Sequence, residues 1–165
     1  NINFILLKLS LLCIKYNMGK IIKIGISKNK GEKLLSLTSI IAVKGKGLTD
    51  DRKFKDNNDK MNQLTLIESE NISFFNKIAN TDIPQLDFRR NLVTENVKLN
   101  NLVNKEFFIG TIKVKAHDLC RPCKYLEKKL NQINLVKKLI TKAGLRCEIL
   151  TTGKISVGDI IRQND

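Results

Sequence analysis

The sequence has no tryptophan, two tyrosines, two prolines and one histidine, and its acidic residues are outnumbered by lysine and arginine, 16 to 30. The scarcity of aromatics sets it apart from modules that interleave basic and aromatic side chains to hold nucleic acid, so sequence-specific nucleic-acid binding is not expected. No apolar run reaches the length of a membrane span, so no membrane partner is expected either. No internal repeat is visible. The net charge of +14 would suit phosphate neutralisation. However, the lysines are spread through every segment alongside equally heavy use of asparagine and isoleucine, as a composition bias would give, and a largely solvated basic surface follows.

With 165 residues, 42% of them hydrophobic, the chain can bury one core. Its four cysteines include only one close pair, and there is no convincing export signal, so free thiols and a cytoplasmic location are expected. Residues 1–17 precede Met18 and read as an upstream extension in preference to a leader. Lys8 interrupts their apolar run and no small-residue cleavage site follows. Residues 18–165 then form the domain.

The segment most suited to chemistry is His117 to Leu126, which holds the single histidine, one of the two prolines, Cys120 and Cys123. Before it, residues 107–116 alternate with period two, placing Phe108, Ile112, Val114 and Ala116 on one strand face. After it, Leu126, Leu130, Ile133, Val136 and Ile140 recur at helical spacing, which predicts a helix over 124–141. The cysteines therefore sit at a strand-to-helix corner. Pro122 suits a helix start, so Cys123 is expected in the first turn, where the helix N-terminus with Arg121 and Lys124 would favour a thiolate. Cys123 is the candidate nucleophile or metal ligand.

Elsewhere, strands are expected at 21–27, 34–43, 63–67 and 145–150, and a helix at 68–79 with Ile72, Phe75, Ile78 and Ala79 on one face. Residues 44–52 read as a loop with positions of positive φ, and 56–60 as a polar, mobile stretch. In the run 88–93, Arg89, Arg90 and Asn91 are flanked by apolar residues, which suits either an edge strand keeping itself soluble or an anion site. Cys147 alternates onto an apolar face and reads as a small buried hydrophobe. Many short strands with two inserted helices point to a mainly β fold, a small closed or partly open β-barrel.

The loop GKGLTDDR (45–52), then QLTLIE (63–68), RRNLV (89–93), CRPCKYLE (120–127) and AGLRCEILTTGKISVGDII (143–161) resemble, in that order, the MOSC domain found at the C-terminus of molybdenum cofactor sulfurases and as stand-alone bacterial proteins. The resemblance runs from about Met18 to Ile161. It implies a barrel-like fold in which one cysteine, corresponding to Cys123, carries sulfur or ligates molybdenum, and it makes Cys120 secondary. It also implies molybdenum cofactor as the ligand, a cysteine desulfurase as sulfur donor, a molybdoenzyme as acceptor, and an activity such as sulfur transfer or a molybdenum-dependent reduction. Pyridoxal phosphate belongs to a desulfurase domain absent from these 165 residues, so it is not expected here. The chain departs from the family at Asp50, where glycine is usual. Aspartate tolerates left-handed backbone better than most residues.

Molybdenum cofactor carries a phosphate, so a site for it needs planar cations as well as a soft ligand. Arg52, Arg89 and Arg90 supply the charge on matching segments, with Asn91 as a hydrogen-bonding partner and Asp51 beside Arg52. The competing reading is a non-enzymatic β-barrel module, either basic and nucleic-acid-binding or stapled by zinc on His117, Cys120 and Cys123, with Cys147 as a distant fourth ligand.

Overall fold

In the computed structural model, residues 18–163 are described. The leader question at 1–17 lies outside them. The strands, in chain order, are β1 Lys20–Ile26, β2 Leu35–Leu37, β3 Ser39–Val43, β4 Gly47–Leu48, β5 Leu64–Glu68, β6 Leu92–Glu95, β7 Glu106–Ile109, β8 Ile112–Leu119, β9 Leu145–Ile149, β10 Gly153–Ser156 and β11 Ile161–Gln163. Helix α1 is Ser69–Ala79, α2 is Lys124–Lys129 and α3 is Leu135–Lys138, and short 3-10 turns lie at Gln85–Phe88 and Leu99–Leu102.

Eight strands form one sheet in the order β11-β7-β8-β9-β5-β6-β1-β2, and β10-β3-β4 form a second. Neighbouring strands run antiparallel except for β5 and β6, which are parallel. The large sheet curls until its ends approach. Ile21 N donates to Asp159 O (2.9 Å) and Ile161 N to Gly19 O (2.7 Å), so backbone near one end of the sheet is bonded to backbone at the other. This is the expected partly open barrel. Ile21, Ile24, Leu66, Phe107, Val114, Leu145 and Cys147 fill its interior. A second core lies outside the sheet, where Ile67 and Val93 meet Ile72 and Phe75 of α1, Leu126 of α2, and Leu135 and Leu139. All five residues of β5 are buried, because its two faces serve different cores.

Three predicted elements are broken in ways that matter. The strand expected over 107–116 is a hairpin, β7–β8, turning at Gly110 with φ +58°. Alternation restarts after a two-residue turn, so Phe107 and Ile109, and not Phe108, share the buried face with Ile112 and Val114. The helix expected over 124–141 is two short helices, interrupted by left-handed Asn131 and Asn134. The break resets the helical phase. Leu135 and Leu139 enter the core, while Ile133 and Ile140 point to solvent at 82% and 61% exposure. The strand expected over 34–43 divides at Thr38, and its halves join different sheets.

Two smaller expectations change as well. Segment 56–60 is not simply a polar excursion, since Asn58 is buried and donates to Lys46 O and Lys53 O. The run after Arg89 and Arg90 is not an edge strand, because β6 is flanked by β5 and β1.

Gly144 precedes β9 with φ +98°, and a Cβ there would fall 1.7 Å from Leu66 O. Gly158 has a similar φ of +93° but open space around it. Gly158→Ala should therefore cost only about 1–2 kcal/mol of backbone strain. Gly144→Ala should abolish the folded state or lower stability several times further, as read by urea denaturation of both variants.

Candidate functional site

The loop after β4 contains Asp50, whose φ of +60° is a left-handed conformation that aspartate accepts better than most residues. That turn delivers Asp51 to a hydrogen-bond node. Asp51 Oδ1 accepts from Lys53 N (3.0 Å), and Oδ2 accepts from Ser27 N (3.2 Å) and Asn91 Nδ2 (3.4 Å). Asn91 in turn donates from Nδ2 to Gly25 O (3.2 Å), while its Oδ1 accepts from Thr65 N (3.1 Å) and Thr65 Oγ1 (2.9 Å). Both ends of the Asn91 amide are thus used within the protein. Arg52 N donates to Ser27 O (2.8 Å), completing the attachment of this loop to the end of β1.

The node leaves the basic side chains facing a cleft. Arg89, left-handed at φ +63°, donates from one guanidinium nitrogen to Glu32 O (2.5 Å). Arg90 donates from Nε to Ala143 O (2.9 Å) and from a terminal nitrogen to Phe88 O (3.3 Å), which anchors its guanidinium against the approach to β9. Arg146, on β9, donates to Met61 O and Asn62 Oδ1, each at 3.3 Å. Lys53 lies below the ordinary lysine range. Its burial is the main cause and the charges of Arg52 and Arg146 add to it, while Cys120 and Asp51 oppose them.

At the corner, burial alternates along an extended stretch. Cys120 and Pro122 are buried, whereas Arg121 and Cys123 are exposed. Cys120 N donates to Gly144 O (2.6 Å) and so continues the β8–β9 pairing. Cys123 is not in the first turn. It is the N-cap residue of α2, with φ −131° and ψ 159°, and its carbonyl accepts from Glu127 N (3.1 Å). The helix behind it has six residues, not the expected eighteen or so, and little dipole can accumulate over that length. Cys147 is fully buried in the barrel, and burial pushes its thiol pKa far up, leaving it inert as expected.

These segments enclose one cavity of about 190 Å³. It gathers Asp51, Arg52, Arg89, Arg90, Asn91, Cys120 and Cys123, every predicted site residue except His117. It also takes in Lys53, Arg121, Arg146, Ser27, Thr65 and Tyr125. Asp51 is the single carboxylate among six basic lining residues, and its oxygens are already engaged. Lys53 and Arg146 were not foreseen as site residues. The signal for Lys53 was its adjacency to Arg52, and that for Arg146 its place between two inward-facing residues beside Cys147. His117 is elsewhere, its Nε2 2.7 Å from Glu148 Oε2. Among the described residues no group of three or more histidine, cysteine or acidic side chains is placed to hold a metal, so the zinc arrangement on His117, Cys120, Cys123 and Cys147 does not form.

The curled barrel is of the MOSC type, and the chain belongs to the MOSC domain family, whose model matches residues 51–162. Among solved structures, the YuaD protein from Bacillus subtilis superposes with a TM-score of 0.76 at 14% identity, covering 87% of this chain and 94% of that one. YiiM from Geobacillus stearothermophilus gives 0.72 at 16% identity over 89% and 75% of the two chains, and YiiM from Escherichia coli gives 0.65 at 15% over 88% and 70%. At these identities the likeness is one of fold. No curated protein sequence matches the chain. No helix among the described residues is long and apolar enough to cross a membrane.

Two outcomes follow from this geometry. Among the three cysteines of the described residues, brief treatment of native protein with an alkylating agent should modify Cys123 first, Cys120 much more slowly, and Cys147 only after denaturation, as read by peptide mass spectrometry. Asn91→Ala strips partners from Thr65, Gly25 and Asp51 together, and should lower stability by about 1–3 kcal/mol in urea unfolding.

Proposed function

We propose that the cavity binds the phosphate-bearing end of a molybdenum cofactor-type ligand, and that Cys123 acts beside it as sulfur carrier or molybdenum ligand. The observation that carries this reading is the convergence of an exposed thiol with six basic side chains around a single, already satisfied carboxylate. That donor set fits an anion joined to a soft centre. Guanidinium groups pair with phosphate oxygens, and a thiolate suits molybdenum or sulfane sulfur. The cavity lies below the roughly 300–1,000 Å³ of pockets that enclose a drug-sized ligand, so it would take an anionic end and leave the rest at the mouth. When bound, such a cofactor supplies a redox-active metal held by dithiolene sulfur.

The residues divide the work by how they are held. Arg52 has an exposed side chain on an anchored backbone and is free to follow a ligand. Arg90 is fixed by two carbonyls and offers its remaining guanidinium donors in a set direction. Lys53 is already crowded by like charge, and an incoming anion would relieve that crowding. Asp51 and Asn91 position the others.

As a carrier, the Cys123 thiolate attacks the terminal sulfur of a persulfide presented by a cysteine desulfurase. The donor's S–S bond breaks, its cysteine leaves as thiolate, and the S–S bond of a Cys123 persulfide forms, with no other oxidant or reductant needed. A molybdoenzyme is the acceptor consistent with this chemistry. Both cysteines line the cavity, Cys120 buried in its wall and Cys123 exposed, so Cys123 is the one open to a donor.

Incubation with a cysteine desulfurase and cysteine should add one sulfur atom to Cys123 in the intact-mass and peptide spectra. Cys123→Ser should gain none, and inorganic phosphate should slow the wild-type reaction by filling the cavity. A wild-type protein that acquires no more sulfur than Cys123→Ser would refute the carrier role.

A further inference from the structure

The broken helical segment that follows Cys123 combines exposed basic with exposed apolar side chains. Arg121, Lys124, Lys128 and Lys137 are all exposed along it, and its single acidic residue, Glu127, is taken up by Lys124 Nζ (2.8 Å) and by Val136 N (3.1 Å). A solvated basic face would account for the lysines alone. It does not account for the apolar side chains set among them. The left-handed turns at Asn131 and Asn134 leave Ile133 82% exposed, Ile140 is 61% exposed beyond α3, and Tyr125 is 49% exposed in the first turn of α2. Single exposed apolar residues are ordinary, but apolar contacts ringed by one sign of charge are the make-up of a protein-binding surface. A shallow groove of about 200 Å³, lined by Glu127, Lys128, Asn131, Gln132 and Ile133, runs along α2 into the turn beyond it. The surface is continuous with the site, because Tyr125 and Arg121 also line the Cys123 cavity.

We infer that the α2–α3 surface docks an acidic protein partner, the protein that presents a persulfide to Cys123. This rests on the carrier reading above and adds to it how the donor is recognised. Charge complementarity selects the occupant. A net-acidic rim on the donor meets Arg121, Lys124, Lys128 and Lys137, while Ile133 and Ile140 supply the desolvated contacts that hold the encounter once formed. The donor's persulfide is thereby brought to the mouth of the cavity, where the Cys123 thiolate takes its terminal sulfur and the donor cysteine departs as thiolate. Steering of this kind raises association rates by about 10–1,000-fold and weakens with salt.

The test compares two donors on the full-length protein, a persulfidated cysteine desulfurase and a small-molecule persulfide that needs no docking. The variants are Lys128→Glu/Lys137→Glu, Ile133→Ser, and Lys55→Glu/Lys154→Glu, the last being a charge-matched control at exposed positions outside α2 and α3. Transfer from the desulfurase to Lys128→Glu/Lys137→Glu should fall by about tenfold or more, and wild-type transfer should fall with rising salt. Ile133→Ser should lose several-fold. Transfer from the small persulfide should be unchanged in all three, and the control pair should behave as wild type with both donors. The docking inference is overturned if Lys128→Glu/Lys137→Glu accepts sulfur from the desulfurase at the wild-type rate, or if the control pair loses as much. It is equally overturned if the double variant keeps its transfer rate but loses binding to anionic phospholipid vesicles, which would make this a lipid-facing surface. Wild-type protein that takes sulfur from neither donor would overturn the carrier role itself, and docking with it.

Discussion

The site depends on one carboxamide. Asn91 bonds Thr65 through its oxygen and Gly25 and Asp51 through its nitrogen, so one side chain joins β5, β1 and the loop that carries Arg52 and Lys53. Buried polar groups must find partners inside a protein, and here the partners belong to segments far apart in the chain. The hydrogen-bond requirement of a single residue therefore fixes the relative positions of the cations. Asp51 extends the same node by accepting from Ser27 and Lys53 backbone nitrogens.

Six basic side chains around so small a space repel one another, and the fold meets that cost mainly through backbone carbonyls. Arg89, Arg90 and Arg146 each donate to main-chain oxygens, at Glu32, Ala143 and Met61 respectively. Neutral acceptors hold a guanidinium in place without cancelling its charge, which more carboxylates would do. The positive potential of the cleft is thus retained for a ligand, and the charges of Arg52 and Arg146 add to the burial that chiefly lowers the pKa of Lys53. Cys123 stands at the rim of this field, exposed, while Cys120 lies at 4% exposure within the wall.

Much of the barrel was legible from alternation alone. The β1, β5 and β9 segments fall close to where apolar periodicity placed them, and Cys147 is the buried small residue that its register required. Misreadings came where two short elements share a continuous apolar pattern. The period-two signal across Gly110 does not announce a hairpin, since a two-residue turn passes alternation from one strand to the next with only a one-step change of phase. Likewise, apolar residues at spacing three and four over 124–141 fit one helix on paper. Two asparagines in left-handed backbone change which of them face inward, from Ile133 and Ile140 to Leu135 and Leu139. Local propensity scarcely distinguishes the two outcomes, and burial against Phe75 and Ile67 decides between them.

By itself the sequence determined the residue types available for chemistry, the order of the segments that carry them, and the membership of the chain in its family, because these are written in local spacing. Only the tertiary structure decided that residues 51–53, 89–91, 120, 121, 123 and 146 meet in one cleft while His117 does not. The physical reason is strand pairing over long separations. The parallel partnership of β5 with β6 and the antiparallel one of β5 with β9 bring Asn91 and Arg146 to either side of Thr65. His117, on the strand beyond β9, is instead paired across to Glu148.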